Sequence, residues 1–457
     1  MMTTNVKHPP QGAGIIGHRK IIQLSLATGC AFLLNLAAFS PFFTPDSFHY
    51  LHLSLHPVAG DAHPLGFGFF LLLAKYCADL LHLDFLVLVS LFTISTTVIA
   101  MTFYDALPRE STKRRPFAYL FFMLYLLLLM PALLIISSAV WSESLYWLIL
   151  IFIGGLLFLK PKRPFLRCFL VLLIAVLCTF LYHVRYEGII VVPALLSTAI
   201  IFLCRADKDT ALKFLYAGIT SVILIASSMI LIQKTFPTVN INNTMLIDGL
   251  RTSMQCTLRC AHPLFENKCD QPDAYEPIKE ASCSDITLGH VQIGAPLAGT
   301  LTFSGLLKEM GIKDTITWLF KAPWKYLQDI HTRWGMEIGR FDMRHPNLNA
   351  SPYAGIILEY YKYFNYYLTG PSPLFNALHV WIKFLHFELK AYNWFSLFGI
   401  FISLFFIVTS RQPLTVFFCF ISIGTLLIFS YINPHVPFRF LIHILLPCFI
   451  GISLNKN

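Results

Sequence analysis

Charge is what this chain has least of. Only 13% of its 457 residues are Asp, Glu, Lys or Arg, roughly half the ~25% usual in soluble globular chains. That scarcity excludes an ordinary cytosolic enzyme, a disordered scaffold and a coiled coil. Alternation of apolar and polar residues with period two is also missing, which excludes an outer-membrane β-barrel. There is no internal repeat of fixed period and no low-complexity tract.

Apolar sequence takes the place of charge. The chain is 56% apolar, with a mean hydropathy of +0.65. Runs of near-bilayer length recur along it, so the expected fold class is all-α: a polytopic membrane helix bundle. Ten spans are predicted, at 20–40, 84–104, 117–136, 144–159, 166–182, 188–204, 212–232, 392–409, 413–431 and 436–453. The formal charge of +10 would suggest nucleic acid in a soluble protein; here it belongs to loops obeying the positive-inside rule, and no nucleic-acid partner is expected.

His18, Arg19 and Lys20 hold residues 1–19 as a cytoplasmic tail. The first span is long and no small-x-small cleavage site follows it, so it reads as an uncleaved anchor. The stretch 65–82, LGFGFFLLLAKYCADLLH, is short and carries Lys75 and Asp79. If it lies in the outer interface, the basic loops around Arg109–Arg115, Lys160–Arg167, Arg205–Lys213 and Arg411 all fall on the cytoplasmic side, as the orientation rule asks. Both termini are then cytoplasmic. The chain divides into an N-terminal bundle (20–232) with a first outer loop at 41–83, an extracytoplasmic loop region (233–391) and C-terminal membrane helices (392–457). Within the loop region, 372–390 reads as a second interfacial helix.

Cys256, Cys260, Cys269 and Cys283 cluster in that region. An even cluster in an exported loop points to two disulfides with three pairings, against free thiols or a metal site. The other cysteines lie in apolar segments and read as core filler. Asn242 and Asn349 head glycosylation sequons, which matter only where exported loops are glycosylated.

Ionisable residues are nearly absent inside the spans and gather at their outer ends. They are Asp46, Asp61 and His63 after span one, Glu143 at span four, Arg185 and Glu187 between spans five and six, and His435, Arg439 and His443 at span ten. A transporter would place such groups near the midplane; this pattern favours chemistry at one face. Each group also has a structural explanation. Asp46 is a candidate general base or the N-cap of a helix opening at Pro45. Asp61 and His63 are a second acid/base pair, a sugar contact, or a turn before Pro64. Glu143 suits a helix N-terminus. Arg185 offers a phosphate-holding fork or pairs locally with Glu187. Arg439 lies one turn from His435 and His443, and a phosphate or carboxylate partner is the sharper reading. Arg340, Asp342, Arg344 and His345 are further loop candidates. His49, His52 and His56 have helical spacing but form an incomplete ligand set, and no metal site is assigned.

The order PDSFHYL, HPLGF before an interfacial helix, SES opening one span, RYEG opening another, and PFRFLIHILLP near the end resembles the GT-C class of multispanning glycosyltransferases. That resemblance implies a sugar taken from a polyprenyl-phosphate carrier and passed to a hydroxyl of a glycan, lipid or protein, in the bacterial inner membrane or, in a eukaryote, the ER membrane. It implies Asp46 as the base, Arg439 or Arg185 near the carrier phosphate, and inversion by single displacement. The single Asp before Ser47 replaces a paired acidic motif, so use of a divalent metal stays open, and no cofactor is assigned. A polysaccharide polymerase or ligase using Arg340, Arg344 and His345, and a lipid-linked sugar transporter, are the alternatives.

Overall fold

The computed structural model describes residues 45–57, 63–82, 125–129, 131–133, 136, 140–159, 161, 163–236, 373–432 and 438–454. The first two predicted spans, the four clustered cysteines, both sequons, Asp61, His435 and the 340–345 candidates lie outside the described residues. So do the side chains of Asp46, His49 and Arg439.

Among the described residues the structure is entirely helical. The helices are α1 (Pro45–Leu55), α2 (Leu65–Leu81), α3 (Ser142–Phe158), α4 (Pro164–Val184), α5 (Val191–Cys204, entered through a 3-10 turn at Tyr186–Ile190), α6 (Lys208–Thr235), α7 (Pro373–Lys383), α8 (Ala391–Thr409), α9 (Pro413–Ile432) and α10 (Phe438–Leu454). Four helical stretches are long and apolar enough to cross a membrane: Pro164–Val184, Tyr186–Cys204, Lys208–Thr235 and Ala391–Thr409. Shorter apolar helices occupy Ser142–Phe158, Pro413–Leu427 and Leu441–Ile452. These seven coincide with the last seven predicted spans, and the chain is a membrane protein.

Helix ends explain the boundaries. Pro164 opens α4 in its first turn, where a missing N–H costs nothing. Asp207 caps α6, accepting from the Thr210 amide at 3.2 Å. The bundle then closes by close packing, because lipid tails offer helices no hydrophobic reward for associating. α9 lies against α10, α8 and α5, while α6 lies against α4 and α5. A Cβ at Gly154 of α3 would stand 2.6 Å from the Phe418 ring of α9, so only glycine admits that ring.

Several buried polar groups are satisfied between helices, as a water-free interior favours. The π-helical turn at Tyr125–Leu129, inside the third predicted span, presents carbonyls to side chains from later helices. The Leu127 carbonyl accepts from Trp381 Nε1 at 3.1 Å, and that of Leu128 accepts from the Tyr392 hydroxyl at 2.8 Å. Ser422 of α9 donates to the Ile444 carbonyl of α10 at 2.8 Å. Of the described cysteines, Cys178, Cys419 and Cys448 are buried as expected of core filler, but Cys168 and Cys204 are exposed. Cys168 stands in the first turns of α4, at a cavity beside α6, and Cys204 ends α5.

α2 is two-faced. Phe67, Leu71, Ala74 and Ala78 are buried, whereas Phe69, Leu73, Tyr76 and Leu80 are exposed. Lys75 and Asp79 pair at 2.5 Å one turn apart. Its start is seated on the end of α4: a Cβ at Gly66 would collide with the His183 carbonyl. Phe69 also meets Phe236, just past the end of α6, with ring centroids 6.0 Å apart.

Candidate functional site

Four elements converge at the end of the bundle where α3 begins and α4 finishes. Ser142 and Glu143 open α3 with extended Trp141 before them. Arg185 is the extended residue between α4 and the 3-10 turn (φ −150°, ψ 132°). The turn is tight because the Gly188 amide bonds the Arg185 carbonyl at 2.8 Å. A Cβ at Gly188 would fall 2.7 Å from the carbonyl of Leu181. This compact corner turns the Arg185 side chain inward and sets Glu187 beside it.

Arg185 holds two carboxylates. One Nη lies 2.7 Å from Glu143 Oε1 and the other 3.1 Å from Glu187 Oε1. The first also donates to Ser142 Oγ at 3.1 Å, and that oxygen lies 2.8 Å from the Tyr50 hydroxyl. Tyr50 carries the network onto α1; its ring lies 4.6 Å from the His63 ring and 4.8 Å from Phe67. His63 is close enough to Glu187 for their charges to interact. Glu143 is completely buried, and Arg185 only 6% exposed. Such charges cost several kcal/mol each to desolvate, and their pairing is what makes the burial tolerable.

One turn deeper a second link ties α3 to α10. Trp147 Nε1 donates to His443 Nδ1 at 3.1 Å, and the Tyr146 ring packs on the same imidazole at 5.0 Å. Indole N–H can only donate, so Nδ1 of His443 is the unprotonated nitrogen. Glu143 precedes Trp147 by one turn, and Arg439 precedes His443 by one turn.

The structure therefore brings together His63, Glu143, Arg185 and Glu187 of the predicted site. Arg185 forms the local pair with Glu187 and reaches Glu143 as well. Asp46 occupies α1 one turn before Tyr50; Asp61 and His435 lie outside the described residues. Tyr50, Ser142 and Trp147 were not singled out from the sequence, although Tyr50 and Ser142 lie within the PDSFHYL and SES stretches that drew attention. Among the described residues no group of three or more His, Cys, Asp or Glu side chains gathers as a metal site. Glu143 and Glu187 are bridged by Arg185, a donor set that does not fit a divalent ion between them.

Comparison of the chain with protein-family models, curated proteins and solved structures found no match.

Proposed function

We propose that the protein is a membrane glycosyltransferase of the hexosyltransferase type, moving a sugar from a polyprenyl-phosphate carrier to a hydroxyl acceptor at the extracytoplasmic face. The observation that supports this most is the convergence of Tyr50, His63, Ser142, Glu143, Arg185 and Glu187 at one end of the bundle. Paired charges buried at a membrane are expensive to keep, and they mark working sites more often than structural ones. The GT-C likeness of the motifs carrying these residues supplies the chemistry.

In this reading Asp46, on α1 one turn before Tyr50, takes the proton of the acceptor hydroxyl. The freed oxygen pair bonds the anomeric carbon as the bond from that carbon to the carrier phosphate oxygen breaks. The carrier phosphate departs with the bonding electrons, its charge met by Arg439. Arg185 is committed to Glu143 and Glu187 in this structure, so its part is to hold those carboxylates in register for the sugar hydroxyls, with His63 beside them. Asp61 and His435 are further substrate-binding candidates by the same likeness. No step is routed through a metal.

Seating of α2 on the end of α4, beside the paired charges, supports an outer interfacial position for that helix, with both termini cytoplasmic. The host membrane would be a bacterial inner membrane, or the ER membrane in a eukaryote. Purified protein incubated with a polyprenyl-phosphate sugar and a hydroxyl acceptor should transfer the sugar with inverted configuration. Asp46→Asn should abolish transfer while leaving the protein inserted. Full activity of that variant would remove Asp46 from the mechanism; movement of lipid-linked sugar without covalent transfer would overturn the enzyme reading altogether.

A further inference from the structure

The opposite end of the bundle holds a second feature, independent of the proposed reaction. A cavity of about 1320 Å³ opens between the α3–α4 turn, the first turns of α4 and α6, and the start of α9. Part of its wall is apolar and exposed, formed by Phe158, Leu172, Leu212 and Tyr216. Two cations stand at its rim, drawn to one turn of the backbone. Arg167 Nε donates to the Pro161 carbonyl at 2.9 Å, and Lys213 Nζ to the Leu159 carbonyl at 2.7 Å.

The two cations differ in what they still offer. Lys213 also reaches the carbonyls of Leu157 at 2.7 Å and Leu156 at 3.4 Å. Its three donors are thus directed at backbone, and it contributes charge alone. Arg167 is exposed and spends only Nε on Pro161, leaving its planar pair of Nη groups with no partner among the described residues. The acids of the rim are occupied differently: Asp207 caps α6 through Thr210, and Asp209 sits in that helix's first turn, where the dipole favours it.

We propose that this cavity binds one phospholipid, its acyl chains along Phe158, Leu172, Leu212 and Tyr216 and its phosphate on the guanidinium of Arg167, with the Lys213 charge behind it. A guanidinium fork fits a phosphate. A free phosphate would leave the apolar wall uncovered, and an uncharged apolar ligand would leave the arginine unused. Lipid of the surrounding leaflet meets both requirements.

The test uses full-length protein in detergent, incubated with phosphatidylglycerol and examined by native mass spectrometry. Wild type should retain one lipid. Arg167→Gln should lower retention about tenfold, the scale of one charge-assisted hydrogen bond. Arg167→Lys, which keeps charge but not the fork, should fall between. Val171→Trp, filling the cavity with an apolar group, should also lose the lipid, whereas Lys234→Gln at the far end of α6 should behave as wild type. Phosphatidylglycerol should raise the Tm of wild type more than that of Arg167→Gln, which checks that the variant is folded. Equal retention by wild type and Arg167→Gln, or displacement of the lipid by an equal concentration of inorganic phosphate, would overturn the proposal.

Discussion

The two ends of the bundle use positive charge in opposite ways. At the α4–α6 start, cations serve the backbone: Lys213 reaches the last carbonyls of α3, and Arg205 those of Ile407, Val408 and Ser410 at the end of α8. Helix C-termini carry unsatisfied carbonyls and partial negative charge, so these contacts have a complete structural explanation. At the other end Arg185 bonds side chains: two carboxylates and a serine hydroxyl. The comparison separates cations bonded to the carbonyls that end helices from a cation bonded to side chains of neighbouring elements.

Breaking the paired-charge end should cost the most. Arg185→Met strands Glu143 in the interior and should destabilise the protein by about 3–5 kcal/mol in denaturant unfolding. Adding Glu143→Gln to that variant should recover part of the loss; no recovery would mean that the arginine acts through packing. At the opposite end, Lys213→Met removes a charged donor from the α3 carbonyls and should cost about 1.5–3 kcal/mol, with sugar transfer per folded molecule unchanged. A loss of transfer there would blur the distinction between the two ends. Trp147→Phe deletes the single N–H to His443 and should cost about 0.5–1.5 kcal/mol in thermal unfolding. The smallest effect belongs to Lys75→Gln, since the exposed Asp79 pair on α2 is worth only about 0.3–0.5 kcal/mol; a larger change would mean that this pair is drier than its position indicates.

Much of the bundle is legible in the sequence because apolar runs are long and their ends carry chemical punctuation. Pro164, Asp207 and Pro413 open helices within a few residues of the predicted starts. The 3-10 corner at Tyr186–Ile190 was not foreseen, since it depends on how closely Gly188 approaches the Leu181 backbone. Glu143, Arg185 and Glu187 stand out as ionisable groups bordering apolar spans, and the Arg185–Glu187 pair is two residues apart. Partners far along the chain leave no such trace: Tyr50 and Ser142 are separated by 92 residues, and Trp147 and His443 by 296. A tryptophan or tyrosine within an apolar run reads as filler until the partner for its polar atom is known.

The most direct measurement is photocrosslinking with a polyprenyl-phosphate sugar bearing a photoreactive group near the phosphate, followed by mapping of the labelled peptides. Labelling should concentrate on α1, the start of α3 and the α4–α5 corner around Arg185, and unlabelled donor should compete it away. Competable labelling confined to the Arg167–Lys213 end, or none that donor can displace, would contradict a sugar-transfer site at the paired charges.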